Sequence, residues 1–388
     1  MTEIHGFTAP GFEPVRDVFA DNFANQGEVG AAFTAYQRGE KVVDLWGGVA
    51  DPTTGAPWKE DSIIVVFSTT KAATALCANR LIEQGLLDVD APVASYWPEF
   101  AAAGKADLPV RYLLTHQAGL AWVDDAMTRD EALAWDPVVA ALGRQAPSWE
   151  PGTQHGYHAS TYGWLVGEVV RRISGKSLGA FFRDEVAEPL ELDFWIGLPE
   201  AEESRVVPLI TFPAPEGPMK QLVDAFMGPE TDLGRALSAP GGAFAESHDL
   251  EELDMINTRA VRAAEIPAWN GVTDARSLAR MYAAMIGEVD GVRVLGPGQV
   301  KAAATQQTSG GNSVLLGLDI QFGLGFMVPS SIMPYKPGSF GHFGMGGSVG
   351  WADPEAELAF GYVMNRMDLG LAGDARSTNL MNAVYDAQ

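Results

Sequence analysis

Strand-like alternation at both ends of the chain, with helical periodicity between them, is the feature that most constrains the fold. Ala32–Tyr36 and Lys41–Trp46 are β-like segments around the turn Arg38-Gly39-Glu40, and together they predict a hairpin. Toward the other end, Val314–Leu316, Phe322–Met327, Gly347–Trp351 and Leu358–Asn365 read as further β-like runs separated by turns. The middle is different. Pro92–Tyr96, Ala126–Leu133, Val138–Leu142, Tyr162–Ile173 and Leu178–Leu190 carry helical patterns broken by Pro and Gly loops. Leu165, Val166, Val169, Val170 and Ile173 make the clearest apolar stripe among them. The expectation is an α/β (α+β) fold, with one sheet assembled from both ends of the chain, flanked by helices, and a mainly helical domain inserted. At 388 residues, 47% of them hydrophobic, the chain exceeds the size at which a single core stops growing. Two interleaved domains are therefore expected: residues 1–80 with 245–388 forming the sheet domain, and residues 81–244 the helical one.

Helices are also predicted at Val15–Phe23, directly after Ile63–Phe67, at Ala275–Met285, and around Leu380, Met381, Val384 and Tyr385. The second of these places Ala73, Leu76, Cys77 and Leu81 on one face, with Gly85 as its C-cap. Pro199–Gly242 resists assignment; a stretch of that length serves as a pocket wall or lid, or as a surface connection. The 26 basic residues against 50 acidic ones give a charge of −24, which repels nucleic acid and anionic membrane. Met1–Gly11 is polar and no run approaches the ~20 apolar residues of a membrane span, so neither signal peptide nor membrane anchor is expected. Cys77 is the single cysteine; it reads as a buried small hydrophobe and fits a reducing, cytoplasmic compartment. An oligomer of this chain is neither indicated nor excluded.

Ser68-Thr69-Thr70-Lys71 follows an apolar strand-like run and opens a helix. Residues three apart share a helical face, so the Lys71 amine lies beside the Ser68 hydroxyl. A serine is a weak nucleophile until a base takes its proton, and a partly desolvated lysine with a lowered pKa can take it. The helix start also aims free backbone N–H groups at a developing negative charge. His155 and His158 have no Asp or Glu at metal-ligand spacing, and His116 stands alone, so neither a metal nor another cofactor is expected. Gly346-Gly347-Ser348-Val349-Gly350 satisfies a second nucleophile pattern, G-x-S-x-G, which works only at a turn from strand into helix. Here Trp351-Ala352, a Pro-containing turn and another strand follow, so Ser348 reads as a decoy.

Phe67-Ser68-Thr69-Thr70-Lys71 resembles the first active-site motif of the serine β-lactamase and penicillin-binding-protein superfamily. Tyr112-Leu113-Leu114-Thr115-His116-Gln117-Ala118-Gly119-Leu120 resembles a structural landmark that follows it in that superfamily. Tyr157-His158-Ala159-Ser160, followed by Tyr162-Gly163-Trp164, resembles the tyrosine motif, and His342-Phe343-Gly344 the third motif. In this order they look most like the class C β-lactamase-like serine esterases of S12 type, over a span from Val15 to Tyr385. The resemblance implies a β-lactamase/transpeptidase-like fold with a central antiparallel sheet and the active site at the domain interface. It implies that Ser68 attacks the carbonyl and carries an acyl group. Tyr157, as phenolate or through Lys71, would accept the serine proton and return it to the leaving group. The N–H groups of Ser68 and Met345 would form the oxyanion hole. His342 would border the site, and Gly344 and Gly346 would leave room for substrate along the strand. Phe244, Phe343, Met345 and Trp351 are candidates for an apolar acyl pocket, and core packing explains each of them equally well.

Two departures from the β-lactamase pattern bear on the substrate. Ala159 stands where an asparagine often holds a substrate amide, and His342 stands where β-lactamases use lysine to attract a carboxylate. A histidine with an ordinary pKa near 6.5 is mostly neutral at pH 7. Both changes favour a neutral small-molecule ester, so a serine hydrolase of short to medium acyl esters is expected. β-Lactamase or D-amino-acid peptidase activity, or acyl transfer to an alcohol, are the alternatives on the same site.

Overall fold

The computed structural model describes residues 2–211, 217–238, 241–243, 252–333, 335–368 and 374–387. The N-terminal part supplies strands β1 (Ile4–Thr8), β2 (Gly30–Gln37), β3 (Glu40–Asp51), β4 (Ala56–Pro57) and β5 (Ile64–Val65). Two short strands, β6 (Phe194–Trp195) and β7 (Val272–Thr273), come from the middle. The C-terminal part adds β8 (Gln321–Phe322), β9 (Met327–Val328), β10 (Phe340–Phe343), β11 (Val349–Asp353) and β12 (Leu358–Met364).

The large sheet runs β1-β3-β2-β12-β11-β10-β9-β8, with β4 paired to β3, and every pairing is antiparallel. The two ends of the chain meet where β12 lies beside β2, from Leu358 opposite Gln37 to Met364 opposite Ala31. The predicted hairpin is β2–β3. Arg38 and Gly39 both take positive φ (53° and 80°), the geometry whose twist matches that of the flanking strands. A small sheet, β5-β7-β6, sits apart and ends next to Ser68.

Helices cover the large sheet. Ala275–Ile286, capped by the Asp274 side chain on the Ser277 N–H, lies against β2, β11 and β12. The strands meet it through glycines: a Cβ on Gly361 would lie 2.6 Å from the Ala275 carbonyl. On the other face Phe360 packs against Tyr385 of the Ala375–Asp386 helix, which itself packs on Glu13–Asn25. The helix that begins at Lys71, Lys71–Glu83, is buried almost all round and packs on Thr161–Ser174. Ala72, Ala73, Ala75, Ala78 and Cys77 give it small buried side chains beside Leu76 and Leu81, and Cys77 is fully buried.

Several local expectations differ from the structure. Ile4–Thr8, in the polar N-terminal stretch, forms an edge strand whose Ile4 and Gly6 carbonyls are taken by Arg16. Val314–Leu316 is a turn, not a strand: Asn312 Oδ1 accepts the Leu315 N–H (3.0 Å), a side-chain alternative to ladder pairing, and Leu316 has φ 56°. Phe322–Met327 is a hairpin of β8 and β9, folded back through Gly325 at φ 90°. Pro92–Tyr96 shortens to a 3-10 turn at Val93–Ser95, and Leu178–Leu190 becomes a short helix, Leu178–Phe182, continued by a π-helical turn. Pro199–Gly242 holds a 3-10 helix, Glu200–Arg205, and the helices Gly217–Met227 and Asp232–Leu237.

Candidate active site

Strand β5 ends at Val65, and Phe67 then turns the chain with φ 44°, outside the comfortable range for a bulky residue. A 3-10 turn, Phe67–Thr70, leads directly into the Lys71–Glu83 helix. From Ser62 to Asn79 every residue is buried except Ser68, which is partly exposed. The third motif repeats this pattern. From Ser339 to Asp353, across β10, its turn and β11, only Met345 reaches solvent. The fold thus opens both turns to solvent at one residue each, and these are the two whose N–H groups the family resemblance pairs as an oxyanion hole. Among the described residues no acceptor takes either N–H, whereas neighbouring donors are satisfied: Thr69 N–H on Val66 O (3.2 Å), Gly344 N–H on Ser348 O (2.8 Å).

Lys71 is fully buried and, among the described residues, has no carboxylate beside it. Its Nζ lies 3.2 Å from Ser68 Oγ, 2.7 Å from the Ala159 carbonyl and 2.9 Å from the Ala268 carbonyl. Burial without a counter-charge holds its pKa well below the ordinary 10.5. The amine also sits 4.8 Å from the centre of the Tyr157 ring. Tyr157 is buried, with its phenol facing the Ser68 side chain. Burial pushes its pKa up, and the Ser68 side chain opposes that. Ser68, Lys71 and Tyr157 therefore converge.

Tyr157 is placed by Asn312, which carries no motif signal, and by His116 of the structural landmark. Its N–H donates to Asn312 Oδ1 (3.0 Å), from a loop 155 residues further along the chain. On either side, Gly156 N–H donates to the His116 carbonyl and His158 N–H to His116 Nδ1. The His116 ring, at φ 60°, packs 5.0 Å from that of Tyr157. His116 thus frames the tyrosine loop. Among the described residues no group of three or more His, Cys, Asp or Glu stands together as a metal site.

His342 faces the same side, its ring 6.2 Å from that of Tyr157. Its Nδ1 lies 2.7 Å from the Phe343 carbonyl, which can only accept, so Nδ1 carries the proton and Nε2 is bare. Burial, then the Lys71 charge, lowers its pKa to about 3. Phe343 and Trp351 lie on the opposite face of the sheet, packed on each other and on Tyr335. Alternation along β10 dictates this: a Cβ on Gly341 would meet Trp351, so Phe343 shares the Trp351 side and His342 points away from it. Gly344 approaches Val66 and Thr69, and Gly346 packs on Met364 and Met367. Phe244 lies outside the described residues.

The Beta-lactamase family pattern matches residues 15–384. Esterase/beta-lactamase LipL of Mycobacterium tuberculosis is 38% identical over 379 residues, covering 94% of this chain and 83% of that protein. The crystal structure of a family VIII carboxylesterase superposes with a TM-score of 0.88 at 38% identity, covering both chains completely. EstA from Arthrobacter nitroguajacolicus Rue61a superposes with a TM-score of 0.86 at 34% identity, over 98% of this chain and 97% of that one. With its motif order, its antiparallel sheet and these likenesses, the chain belongs to the Beta-lactamase family.

Proposed function

We propose that the protein is a serine esterase that cleaves neutral carboxylic esters of short to medium acyl chain through an acyl-enzyme on Ser68. The observation that carries this is the setting of Lys71. A neutral amine has two hydrogens and one lone pair. The Ala159 and Ala268 carbonyls can only accept, so they take the two hydrogens and leave the lone pair for the Ser68 hydroxyl. Lys71 then takes the serine proton as Oγ bonds to the ester carbonyl carbon. The carbonyl oxygen becomes an oxyanion held by the N–H groups of Ser68 and Met345, an interaction worth about 3–4 kcal/mol per donor. As the C–O bond to the alcohol breaks, the proton passes from Lys71 through Tyr157 to the leaving oxygen. Water then attacks the acyl-enzyme, its proton travels the reverse path to Ser68 Oγ, and the acid departs.

Substrate charge is set by His342. A neutral imidazole with a bare Nε2 offers no cation to a carboxylate, and Ala159 offers no side-chain partner to an amide. Both favour an ester. Residues 1–80 with 245–388 and residues 81–244 fit the roles of sheet domain and helical domain, with the site between them. The lone buried Cys77 supports a cytoplasmic setting.

The deciding experiment compares kcat/KM for p-nitrophenyl butyrate and nitrocefin, in the wild type and in Ser68→Ala. Ester turnover that exceeds nitrocefin turnover and vanishes in Ser68→Ala is expected. A higher kcat/KM for nitrocefin overturns the ester assignment in favour of a β-lactamase, a reading that the double name of the mycobacterial relative supports. Product analysis with added alcohol separates hydrolysis from acyl transfer.

A further inference from the structure

The serine of the decoy motif is not idle. Ser348 is buried, and its Oγ donates to the Val66 carbonyl (2.8 Å), two residues before the nucleophile. Thr69, immediately after the nucleophile, is fully buried and places its Oγ1 3.0 Å from Ser348 Oγ and 3.3 Å from Ser348 O. Because the Ser348 hydrogen is committed to a carbonyl, the Thr69 hydroxyl is the donor of that pair. Ser348 O also accepts the Gly344 N–H (2.8 Å), one residue before Met345. A Cβ on Gly344 would collide with Ser348 Oγ and Val66 O and would come within 2.9 Å of Thr69 Oγ1. Only glycine lets the two turns approach this closely. The bonds therefore link the residues flanking Ser68 to the residues flanking Met345, across 279 residues of chain.

We infer that Ser348 and Thr69 form a hydroxyl clasp that fixes the spacing of the two oxyanion donors, Ser68 N–H and Met345 N–H. Both are positioning residues for ester cleavage; neither touches substrate. The inference rests on the proposed oxyanion hole. Oxyanion donors act only when held close to hydrogen-bond distance of the developing charge, so a small loosening of the clasp acts on the transition state more than on the bound ester.

The test uses Ser348→Ala, Thr69→Val and Thr69→Ser. Thr69→Val keeps the shape and removes the hydroxyl, whereas Thr69→Ser keeps the hydroxyl. Rates are expressed per site titrated with an alkyl phosphonate, so unfolded protein does not count. For p-nitrophenyl butyrate, Ser348→Ala and Thr69→Val are expected to lower kcat on the order of 10–100-fold with KM within about twofold, while Thr69→Ser stays within about threefold of the wild type. The Ki of butyl boronic acid, which forms a reversible tetrahedral adduct, should rise by the same factor as kcat falls. A purely structural role would shift Tm and leave kcat per site and this Ki unchanged; that result overturns the clasp. Full activity in Ser68→Ala is a different failure, since it removes the nucleophile and hence the oxyanion hole on which the clasp rests.

Discussion

Arg376 and Lys71 are among the cations buried in the described residues, and their surroundings differ in one respect. Arg376 is 3% exposed in its side chain and meets two carboxylates, Glu28 Oε1 at 3.0 Å and Asp374 Oδ2 at 2.5 Å, with Tyr362 donating to the other Glu28 oxygen. Lys71 is as deeply buried and, among the described residues, meets only two carbonyls, a serine hydroxyl and aromatic faces. The paired cation is driven toward its charged form: although burial alone would lower its pKa, the Tyr362, Glu28 and Asp374 partners raise it overall. The unpaired cation is driven toward its neutral form by burial. Burial is common to both, so the counter-charge decides which is held charged as a brace and which is pushed toward the neutral form that the proposed proton transfer needs.

Replacing Lys71 by arginine tests the comparison most severely. Arginine keeps the positive charge and the donors but does not release its proton in a protein. If Lys71 works as a neutral base, Lys71→Arg and Lys71→Met should each lower kcat/KM by roughly 10²- to 10⁴-fold, as loss of a general base does. In the wild type kcat/KM should rise with pH through the Lys71 pKa, well below 10.5, as the neutral amine accumulates. An active Lys71→Arg would break the comparison, because charge and not proton transfer would then be what the site needs.

The converse change acts on folding. Arg376→Met leaves Glu28 and Asp374 facing each other without a cation, and breaking a buried pair in this way costs about 3–5 kcal/mol. Urea denaturation should show that loss. Arg376 Nη2 also donates to the Gly346 carbonyl (3.2 Å), but the Asp368 N–H holds the same oxygen at 3.0 Å. Activity per folded molecule should therefore fall by less than about tenfold. A collapse as large as that of Lys71→Arg would place Arg376 in the machinery and not in the frame.

How much of this was legible depends on whether the partner is a side chain near in sequence. Ser68 and Lys71 were legible because three residues of helix bring them together and the preceding apolar run marks the strand that feeds the helix. The meeting of the two chain ends was legible from alternation in Ala32–Tyr36 and Leu358–Asn365. The Ala159 and Ala268 carbonyls that tune Lys71 were not, because a backbone oxygen leaves no mark on the residue type that bears it. Asn312 was missed, and His116 was marked only as part of a landmark, for a related reason: each acts by accepting backbone N–H groups of the tyrosine loop. Had the G-x-S-x-G match been read for what Ser348 could bond instead of whether it attacks, Thr69 next to the nucleophile was the available clue. Phe343 and Trp351 show the opposite error, aromatic residues near a motif that strand alternation turns to the far face.

The arginine cluster also predicts a pH effect. Burial pushes the Glu28 carboxyl from 4.5 to about 7, against the opposing pull of Arg376. The native state thus binds this proton more tightly than the unfolded chain does. Its contribution to stability is complete below about 4.5 and is lost as pH rises through about 7. Wild type minus Glu28→Gln stability, measured by urea denaturation, should decline between those values and flatten above them. A difference that rises with pH instead would mean that Arg376 outweighs burial and Glu28 is ionised throughout.

The smallest expected effect comes from Tyr162, which borders Lys71 without serving it. Its ring centre lies 6.0 Å from Nζ, and its buried hydroxyl has no partner among the described residues. Tyr162→Phe removes an unpaired polar atom and keeps the aromatic face. Stability should be unchanged or higher by up to ~1 kcal/mol, since an unsatisfied buried hydroxyl is itself a cost. The acid limb of kcat/KM should stay where it is, because the hydrogen-bond partners of Lys71 are two carbonyls and the Ser68 hydroxyl. If the limb moves, the Tyr162 hydroxyl is a partner of the amine, and Lys71 is less isolated than the contrast with Arg376 requires.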